Sequence, residues 1–375
     1  MRSFGDDVLV LRQQRSTTPI EITGEDGGFE AEEPPPYYSS ESACSGTIVD
    51  TVLTALSGTM NIQLETVLRE VTVGVDFVVT GDEVVVANAG ASDGGPGLLR
   101  YGPLSDFSWI DGCRSPNQTH VLATDGRASA VAVDVDGAVV VQSAAPLSIV
   151  RAETDGAVLS VPADETTDVV RLFHADAGVG VACASCHPEG LDDGHVWTFV
   201  VDPTEPLLRR TMPLAGGILQ REPYHWDAAL ESPDALMADT FVSRMGGGPI
   251  DAETTTALFD WLDGLRHPRA HPAAPESTIA IGETAFATAA CATCHSGPVF
   301  TNNTVTSIGR PAESVKVPSL LGVGVRNDLL HDGCADDLHD RFEPWECDSG
   351  SSNHGDLTSL TAEEIAALEA YVRTL

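Results

Sequence analysis

The string Cys183-Ala184-Ser185-Cys186-His187 recurs 108 residues later as Cys291-Ala292-Thr293-Cys294-His295. Each string holds two thiols separated by two residues, and an imidazole follows the second thiol directly. Two such thiols can form thioethers with both vinyl groups of one porphyrin, and the adjacent histidine can then coordinate its iron. The sequence therefore predicts two covalently attached c-type haems, one on each string.

Zinc is the competing interpretation, because Cys-x-x-Cys pairs also bind this metal. A zinc ribbon needs a second Cys or His pair close by, and the remaining candidates are poorly spaced for one. We therefore favour haem. Cys183, Cys186, Cys291 and Cys294 are the predicted attachment residues, and His187 and His295 are the predicted proximal iron ligands.

Four further cysteines stand outside the two strings. Sequence order favours disulfides between Cys44 and Cys113 and between Cys334 and Cys347, as expected in an oxidising compartment. The sequence alone does not fix this connectivity.

The sequence around the two strings repeats, which indicates two duplicated modules. The corresponding segments are 171–173 and 284–286, 213–216 and 318–322, and 226–228 and 331–333. Each half ends in a predicted amphipathic helix. One begins at Asp251, and the other begins at Thr361 with a capping box to Glu364. We predict two all-α cytochrome c modules, at residues 165–268 and 278–375.

Residues 1–162 have a different texture, with short β-branched strands that follow acidic turns. The clearest strands lie in segments 6–10, 82–86 and 136–141, and such turns are typical of hairpins. We predict a partial β-propeller of two or three blades, with a compact β-sandwich as the alternative. The predicted fold class is therefore multidomain, with a β domain ahead of two α-helical modules.

Composition narrows the partners and the location. The 375 residues include 56 acidic and 20 basic side chains, a formal charge of −36. This charge repels nucleic acid and anionic lipid and favours a basic protein partner. No apolar stretch reaches the length of a membrane span. Residues 1–7 show no signal peptide, so we expect an N-terminally truncated chain of a periplasmic or otherwise extracytoplasmic protein.

The sixth ligand of each iron decides the function of that haem. An iron with every position filled by the protein passes electrons, whereas an iron with an open position can bind a substrate. His354 lies seven residues before Thr361, where small c-type modules deliver a distal ligand, and no methionine follows Met245. We predict His354 as the second ligand of the second iron, with His331 and then His339 as alternatives. For the first iron the candidates are Met245, His195 and His225, and an open position is the outcome that we expect.

These residues resemble the bacterial di-haem cytochrome c peroxidases and the related di-haem enzyme that matures methylamine dehydrogenase. The resemblance covers about residues 165–375. It is carried by both haem strings and by segments 171–173, 224–227, 317–320 and 330–333, together with the closing helix. The β region resembles the terminal blades of propellers fused ahead of such modules.

The resemblance implies that peroxide or a similar small oxidant reacts at the N-terminal haem and that electrons enter at the C-terminal haem. It also implies that Trp226 lies on the path between them, that a calcium ion lies between the modules, and that a small redox protein is the donor. Two positions differ: Gly246 replaces the distal glutamate of the family, and His354 stands where the family has Met or Tyr.

The predicted function is therefore a peroxidase-like di-haem oxidoreductase. The alternative is a pure electron-transfer cytochrome with a partner-binding β domain. A scaffold with purely structural haems or metals is a third interpretation.

Overall fold

The chain folds into two units, each formed by two separate stretches of sequence. The computed structural model describes residues 1–4, 7–16, 19–21, 47–59, 61–90, 97–107, 112–122, 127–144, 146–152, 156–161, 167–202, 205–270, 274–308, 314–342 and 354–375. The first unit comprises Met1–Cys186 and Ala238–Leu258, and the second comprises His187–Met237 and Phe259–Leu375. The division into three domains, drawn from sequence texture, stays a prediction.

The strands are β1 (Arg2–Phe4), β2 (Asp7–Arg15), β3 (Ile20–Glu21), β4 (Val49–Leu56), β5 (Ile62–Leu68), β6 (Gly74–Thr80), β7 (Glu83–Asn88), β8 (Gly97–Tyr101), β9 (Gly112–Arg114), β10 (Gln118–Val121), β11 (Arg127–Val133), β12 (Val139–Ala144), β13 (Ser148–Arg151), β14 (Gly156–Ser160), β15 (Val196–Asp202), β16 (Glu205–Arg210), β17 (Val305–Ser307) and β18 (Ser314–Lys316). The three strands predicted from acidic turns fall within β2, β7 and β12.

The helices are α1 (Thr167–His174), α2 (Cys183–Cys186), α3 (Pro233–Leu236), α4 (Ala252–Gly264), α5 (Glu276–Thr288), α6 (Leu338–Phe342) and α7 (Ala362–Val372). A π-helical segment, Met237–Arg244, follows α3. Both predicted closing helices are present. Asp251 caps α4 by accepting a hydrogen bond from the Thr254 amide (2.8 Å), and Thr361 and Glu364 form the predicted capping box of α7.

Three antiparallel sheets dominate the first unit. Their strand orders are β1-β2-β4-β5-β9, β10-β8-β7-β6 and β11-β12-β13-β14, and the pairing of β5 with β9 is the parallel exception. In the last sheet every strand pairs with the next strand along the chain. Tight turns at Gly81 and Gly137, both with positive φ, connect β6 to β7 and β11 to β12, as hairpin turns require.

The middle sheet is buried on both faces, and strand alternation explains why. Val84 and Val86 of β7 pack with Leu53 in one core. Val85, between them, packs with Val141 in a second core on the opposite face. Successive side chains of a strand point to opposite faces, so an unbroken run of valines fits a strand covered on both sides.

The second unit is not all-α, contrary to the expectation for the two modules. It contains an antiparallel hairpin of β15 and β16 and a shorter one of β17 and β18. Strand β15 has the sequence Val-Trp-Thr-Phe-Val-Val-Asp, and β-branched and aromatic side chains favour the extended backbone. The sequence on both sides of β15 has a helical pattern, so the short strand was not predicted.

Helices α5 and α7 pack closely in the second unit. Phe286 and Tyr371 meet edge to face at 5.5 Å between ring centroids, and Leu368 and Val372 are buried in the same core. At Gly282 the two backbones approach so closely that a β-carbon would collide with the carbonyl oxygen of Ala367. A residue without a side chain is therefore needed at this position.

Gly282→Ala should lower the free energy of unfolding by about 1–3 kcal/mol, because an added methyl group overpacks a core that cannot yield at a backbone atom. Gly264→Ala is the matched control, since Gly264 is exposed and faces open space. Urea unfolding followed by circular dichroism measures both. Equal midpoints for the two variants would contradict the close approach of α5 and α7.

Cys113 and Cys334 are both disulfide-bonded. Their predicted partners, Cys44 and Cys347, lie outside the described residues. The cysteines of the haem strings are reduced thiols. The division of the eight cysteines into structural and attachment residues therefore agrees with the prediction at every described position.

Candidate functional site

The internal repeat is visible in the backbone of the second unit at an offset of 105 residues. Isolated bridges join Tyr224 to Leu230 and Leu329 to Ala335. Short 3-10 turns occur at Ile218–Gln220 and Val323–Val325. Positive φ angles occur at the paired positions Gly217 and Gly322, His225 and Leu330, and Ala228 and Gly333. Two loops of the same conformation therefore follow the two haem strings.

An arginine organises each of these loops, and it is buried in the first and half-buried in the second. The guanidinium of Arg221 donates to the carbonyls of Pro213, Leu214, Ala215 and Gly217. Arg326, at the equivalent position, donates to the carbonyls of Ser319, Leu321 and Gly322. A guanidinium has five donors in a fixed fork, which suits it to close a loop around several carbonyls.

The second haem string lies on a tight turn after α5. Ala290 adopts a left-handed conformation, a 3-10 turn covers Cys291–Thr293, and the His295 amide donates to the Cys291 carbonyl (2.9 Å). The Nδ1–H group of His295 donates to the Phe300 carbonyl (3.1 Å). This bond fixes the tautomer and leaves Nε2 as the nitrogen for a metal.

His354 lies opposite His295 in the structure. The two ring centroids are 6.3 Å apart, with 42° between the ring planes. A metal bonded to one nitrogen of each ring, with bonds of about 2 Å and ring radii of about 1 Å, would separate the centroids by about 6 Å. The donor set and its spacing therefore fit a metal with two imidazole ligands.

Both rings are poor bases in this setting. Burial lowers the pKa of His295 and of His354, and the positive charge of Arg341 lowers both further. A histidine must be neutral to bind a metal, and these shifts keep both rings neutral at neutral pH. Burial also raises the pKa of Cys291, which favours an uncharged sulfur of the kind that a thioether provides.

The first haem string spans the division between the two units. Helix α2 carries Cys183 and Cys186 in the first unit, where Ser185 accepts a hydrogen bond from the Ala182 amide (3.0 Å). Burial raises the pKa of Cys183 to about 12. His187 begins the second unit, and its Nδ1–H group donates to the Leu191 carbonyl (3.1 Å). Burial lowers the pKa of His187 to about 4, so it too is a neutral imidazole with Nε2 available.

The candidates for the first distal ligand separate in the structure. His225 lies close enough to His187 for its charge to lower the pKa of that ring. The ring of His195 packs edge-on against Trp197, with 4.9 Å between the ring centroids. Met245 is a residue of the first unit. Of the three candidates, His225 is the one whose charge acts on His187.

The alternatives to His354 also have other contacts. His331 is 1% exposed, and its ring packs against Trp226. The Nδ1 atom of His339 lies 3.2 Å from Glu369, and its side chain is 61% exposed. The structure brings His354 to His295 and places the other two histidines in different surroundings.

Trp226 lies at a junction between the two repeats. Its indole N–H donates to the Arg210 carbonyl (2.7 Å), and the Arg210 amide donates to the His331 carbonyl (2.7 Å). The rings of Trp226 and His331 are 6.1 Å apart at 64°. These two residues occupy equivalent positions in the repeats, so the duplicated loops meet at this pair.

The side chain of Arg210 forms a buried ion pair at the same junction. Its Nη2 atom lies 2.9 Å from Oδ1 of Asp192, with exposed fractions of 5% and 6%. The guanidinium also donates to the carbonyls of Asn327 and Thr211. Asp192 lies five residues after His187, and Asn327 lies in the second repeat. Arg210 therefore connects the loop that follows His187 to the second repeat.

Comparison with known proteins gives partial structural likenesses. No protein-family model matches the chain, and no curated protein matches it. Hydrazine synthase of Kuenenia stuttgartiensis, solved under xenon pressure, is 17% identical over 57% of this chain and 89% of that chain, with a TM-score of 0.43. A MauG-like protein associated with microbial copper homeostasis is 17% identical over 57% and 90%, with a TM-score of 0.39. Likenesses this weak carry no argument about this chain.

Two further expectations concern ions and membranes. Within the described ranges, no group of three or more His, Cys, Asp or Glu side chains is placed to hold a metal ion. The calcium ion implied by the resemblance therefore has no cluster of such side chains in these ranges. None of the helices in the described part of the chain combines the length and apolar character of a membrane span.

The chain has a single lysine, Lys316, and it is buried. Its ammonium donates to the Arg221 carbonyl and lies 6.0 Å from the centroid of the Tyr224 ring. Burial, together with the charge of Arg221 and against the opposing charge of Glu222, lowers the pKa of Lys316 to about 8. Burying an ammonium group beside a guanidinium costs free energy, and the hydrogen bond from Lys316 to the Arg221 carbonyl offsets part of that cost.

Because this lysine is alone, protein labelled with 13C-lysine should give one side-chain resonance, titrating near pH 8 instead of 10.5. The folded state then binds fewer protons than the unfolded state between these pH values, so stability should rise with pH across this window. Lys316→Met should raise stability at pH 7 by up to about 3 kcal/mol, and this gain should disappear by about pH 10.5. A resonance that titrates above pH 10 would contradict the buried environment.

Several residues of the site are not visible to sequence reasoning. Arg210, Asp192 and Arg341 look like ordinary surface charges in a highly charged chain. The offset of 105 residues between Arg221 and Arg326, both followed by a loop with an aromatic residue or a histidine, is a signal that could have identified the paired arginines.

Proposed function

We propose that this chain is a di-haem c-type oxidoreductase of the peroxidase type. Cys183 and Cys186 would attach the first haem, and His187 would bind its iron. Cys291 and Cys294 would attach the second haem, and His295 and His354 would bind its iron. The observation that carries the proposal is the pair of imidazoles of His295 and His354, whose ring centroids lie 6.3 Å apart, with His295 in a string that holds two reduced thiols.

The protein residues hold and separate the two centres. When bound, each haem supplies an iron that exchanges single electrons and, where an axial position is open, binds a small oxidant. The rings of His187 and His295 are oriented by the hydrogen bonds that they donate to the carbonyls of Leu191 and Phe300. In the overall reaction, one hydrogen peroxide, two electrons from a donor and two protons give two waters.

Trp226 is the proposed residue on the electron route between the centres. Its indole is fixed by the Arg210 carbonyl and by the ring of His331. A fixed aromatic ring at the junction of the repeats suits electron transfer, because little has to move when charge passes. The donor is proposed to be a small basic redox protein, which the charge of −36 would attract, in an extracytoplasmic compartment.

The β region is proposed to be part of a propeller. The sheets β10-β8-β7-β6 and β11-β12-β13-β14 are four-stranded and antiparallel, and they share one core between their faces. Such stacking is how propeller blades pack.

A pure electron-transfer protein is the second candidate function. Gly246 offers no carboxylate where the resemblance implies a distal glutamate for proton transfer, and His225 lies near His187. A closed first haem would leave no position for peroxide.

Mass spectrometry of acid-denatured protein from a host that attaches c-type haem tests the proposal, because non-covalent haem dissociates in acid. Wild-type protein should carry two haems. The Cys183→Ala/Cys186→Ala variant and the Cys291→Ala/Cys294→Ala variant should each carry one. A wild-type mass increase of zero or one haem would refute the proposal. Peroxide turnover with a reduced donor, together with a high-spin first haem, then distinguishes the enzyme from the electron carrier.

A further inference from the structure

The segment that presents His354 is held from two sides. The Asp356 amide donates to the Ala289 carbonyl (3.0 Å), next to the second haem string. A β-carbon on Gly355, which has a φ of +86°, would lie 3.5 Å from Sγ of Cys291. On the other side, the guanidinium of Arg341 donates to the carbonyl of His354 itself. Arg341 thus forms a direct hydrogen bond to His354, the residue whose imidazole faces His295.

The two imidazoles of this site are not held equally. The His295 ring is fixed by its bond to the Phe300 carbonyl. For the His354 ring, no hydrogen-bond partner occurs among the residues that the structure describes. The position of this ring therefore depends on its backbone, and the backbone depends on the Asp356 amide and on Arg341.

Arg341 is itself placed by a packed helix. It belongs to α6, where Leu338 is buried and Phe342 packs in the same core as Cys291. Its guanidinium lies 5.8 Å from the centroid of the Phe342 ring. Its charge acts on three residues of the site, His295, His354 and Cys291. A positive charge this close to the site disfavours a more positive, oxidised metal there.

We propose that Arg341 is a positioning residue that keeps His354 on the second iron and keeps external ligands off it. The inference rests on the proposed function, because it assumes that both imidazoles bind that iron. It assigns two separable effects to one side chain. The hydrogen-bonding fork holds the His354 backbone, and the charge raises the reduction potential of the second haem.

Arg341→Gln and Arg341→Lys separate these effects, with wild type, His354→Ala and Arg373→Gln as references. Arg373 is a suitable control because it is the residue that follows α7 and pairs with Glu369 (2.7 Å). Haem count, spin state, carbon monoxide bound by the reduced protein and midpoint potential are measured for each variant. All variants should keep two haems.

Arg341→Gln should raise the fraction of second haem that binds carbon monoxide by about tenfold or more, since a hydrogen bond from a charged donor changes an equilibrium by this order. It should also lower the midpoint potential. Arg341→Lys should bind carbon monoxide to a similar extent, because lysine lacks the fork, while its potential stays near that of wild type. Arg373→Gln should behave as wild type.

The outcomes distinguish the inference from the function on which it rests. If His354→Ala becomes high-spin while both Arg341 variants exclude carbon monoxide as wild type does, His354 is a ligand that Arg341 does not hold, and the inference is wrong. If His354→Ala is unchanged, the ligand assignment itself fails. Should Arg341→Gln fail to fold with two haems, carbon monoxide binding by Arg341→Lys decides the matter.

Discussion

Arg210→Met should lower the free energy of unfolding by about 3–5 kcal/mol, because removing one partner of a buried ion pair leaves the other without its ion-pair partner. Asp192 would then be a carboxylate with 6% of its side chain exposed and no guanidinium at 2.9 Å. The bonds that the guanidinium makes to the Asn327 and Thr211 carbonyls would be lost as well. Urea unfolding of the holoprotein, followed by tryptophan fluorescence, measures the change.

Two further variants test the cause of this loss. Arg210→Met combined with Asp192→Asn should recover part of the stability, because the carboxylate that lost its ion-pair partner is then neutral. Arg171→Met is the matched control. Arg171 also pairs with an aspartate, Asp168 at 3.1 Å, but these side chains are 40% and 83% exposed, so the loss should stay below about 1 kcal/mol. Equal losses for Arg210→Met and Arg171→Met would show that the Arg210 pair is not buried in solution.

The features that sequence predicts well in this chain are those that depend on near neighbours. The capping box of α7 needs two residues three positions apart, Thr361 and Glu364, and it forms as predicted. The strand within β7 follows from consecutive valines after a turn at Gly81. Each feature is decided by local backbone chemistry, which the sequence displays directly.

The features that sequence does not predict depend on tertiary burial. Asp192 and Arg210 are 18 residues apart and resemble surface charges until folding removes both from water. The hairpin of β15 and β16 was missed for a related reason. Its run of β-branched residues is short and lies within a helix-rich region, so the local preference for strand was outweighed by the surrounding pattern.

The candidate site also contains some features that depend on near neighbours in the sequence and others that depend on tertiary structure. The haem strings and proximal histidines are local motifs and can be read from the chain. His354 could be proposed from its place before α7, but its distance from His295 is a tertiary quantity. The contribution of Arg341 was not foreseen, because nothing in the sequence around it distinguishes its guanidinium from the other cations of the chain.

His354→Ala should convert the second haem from low-spin to high-spin while both haems remain covalently attached. In wild type, two imidazoles on one iron should give a low-spin haem without the far-red charge-transfer band of thioether ligation, and with a lower potential than His/Met ligation gives. The alanine side chain cannot reach a metal, so one axial position would become open. Electron paramagnetic resonance of the oxidised protein measures the change.

The other histidines of the region serve as comparisons for this result. His339→Ala should leave the spectrum unchanged, because that side chain is exposed and lies beside Glu369. His331→Ala should remove a ring packed on Trp226 without opening the second iron. If His354→Ala keeps the wild-type low-spin signal and His331→Ala loses it, His331 is the ligand. The 6.3 Å approach of His295 and His354 would then be a ring contact and not a metal-binding pair.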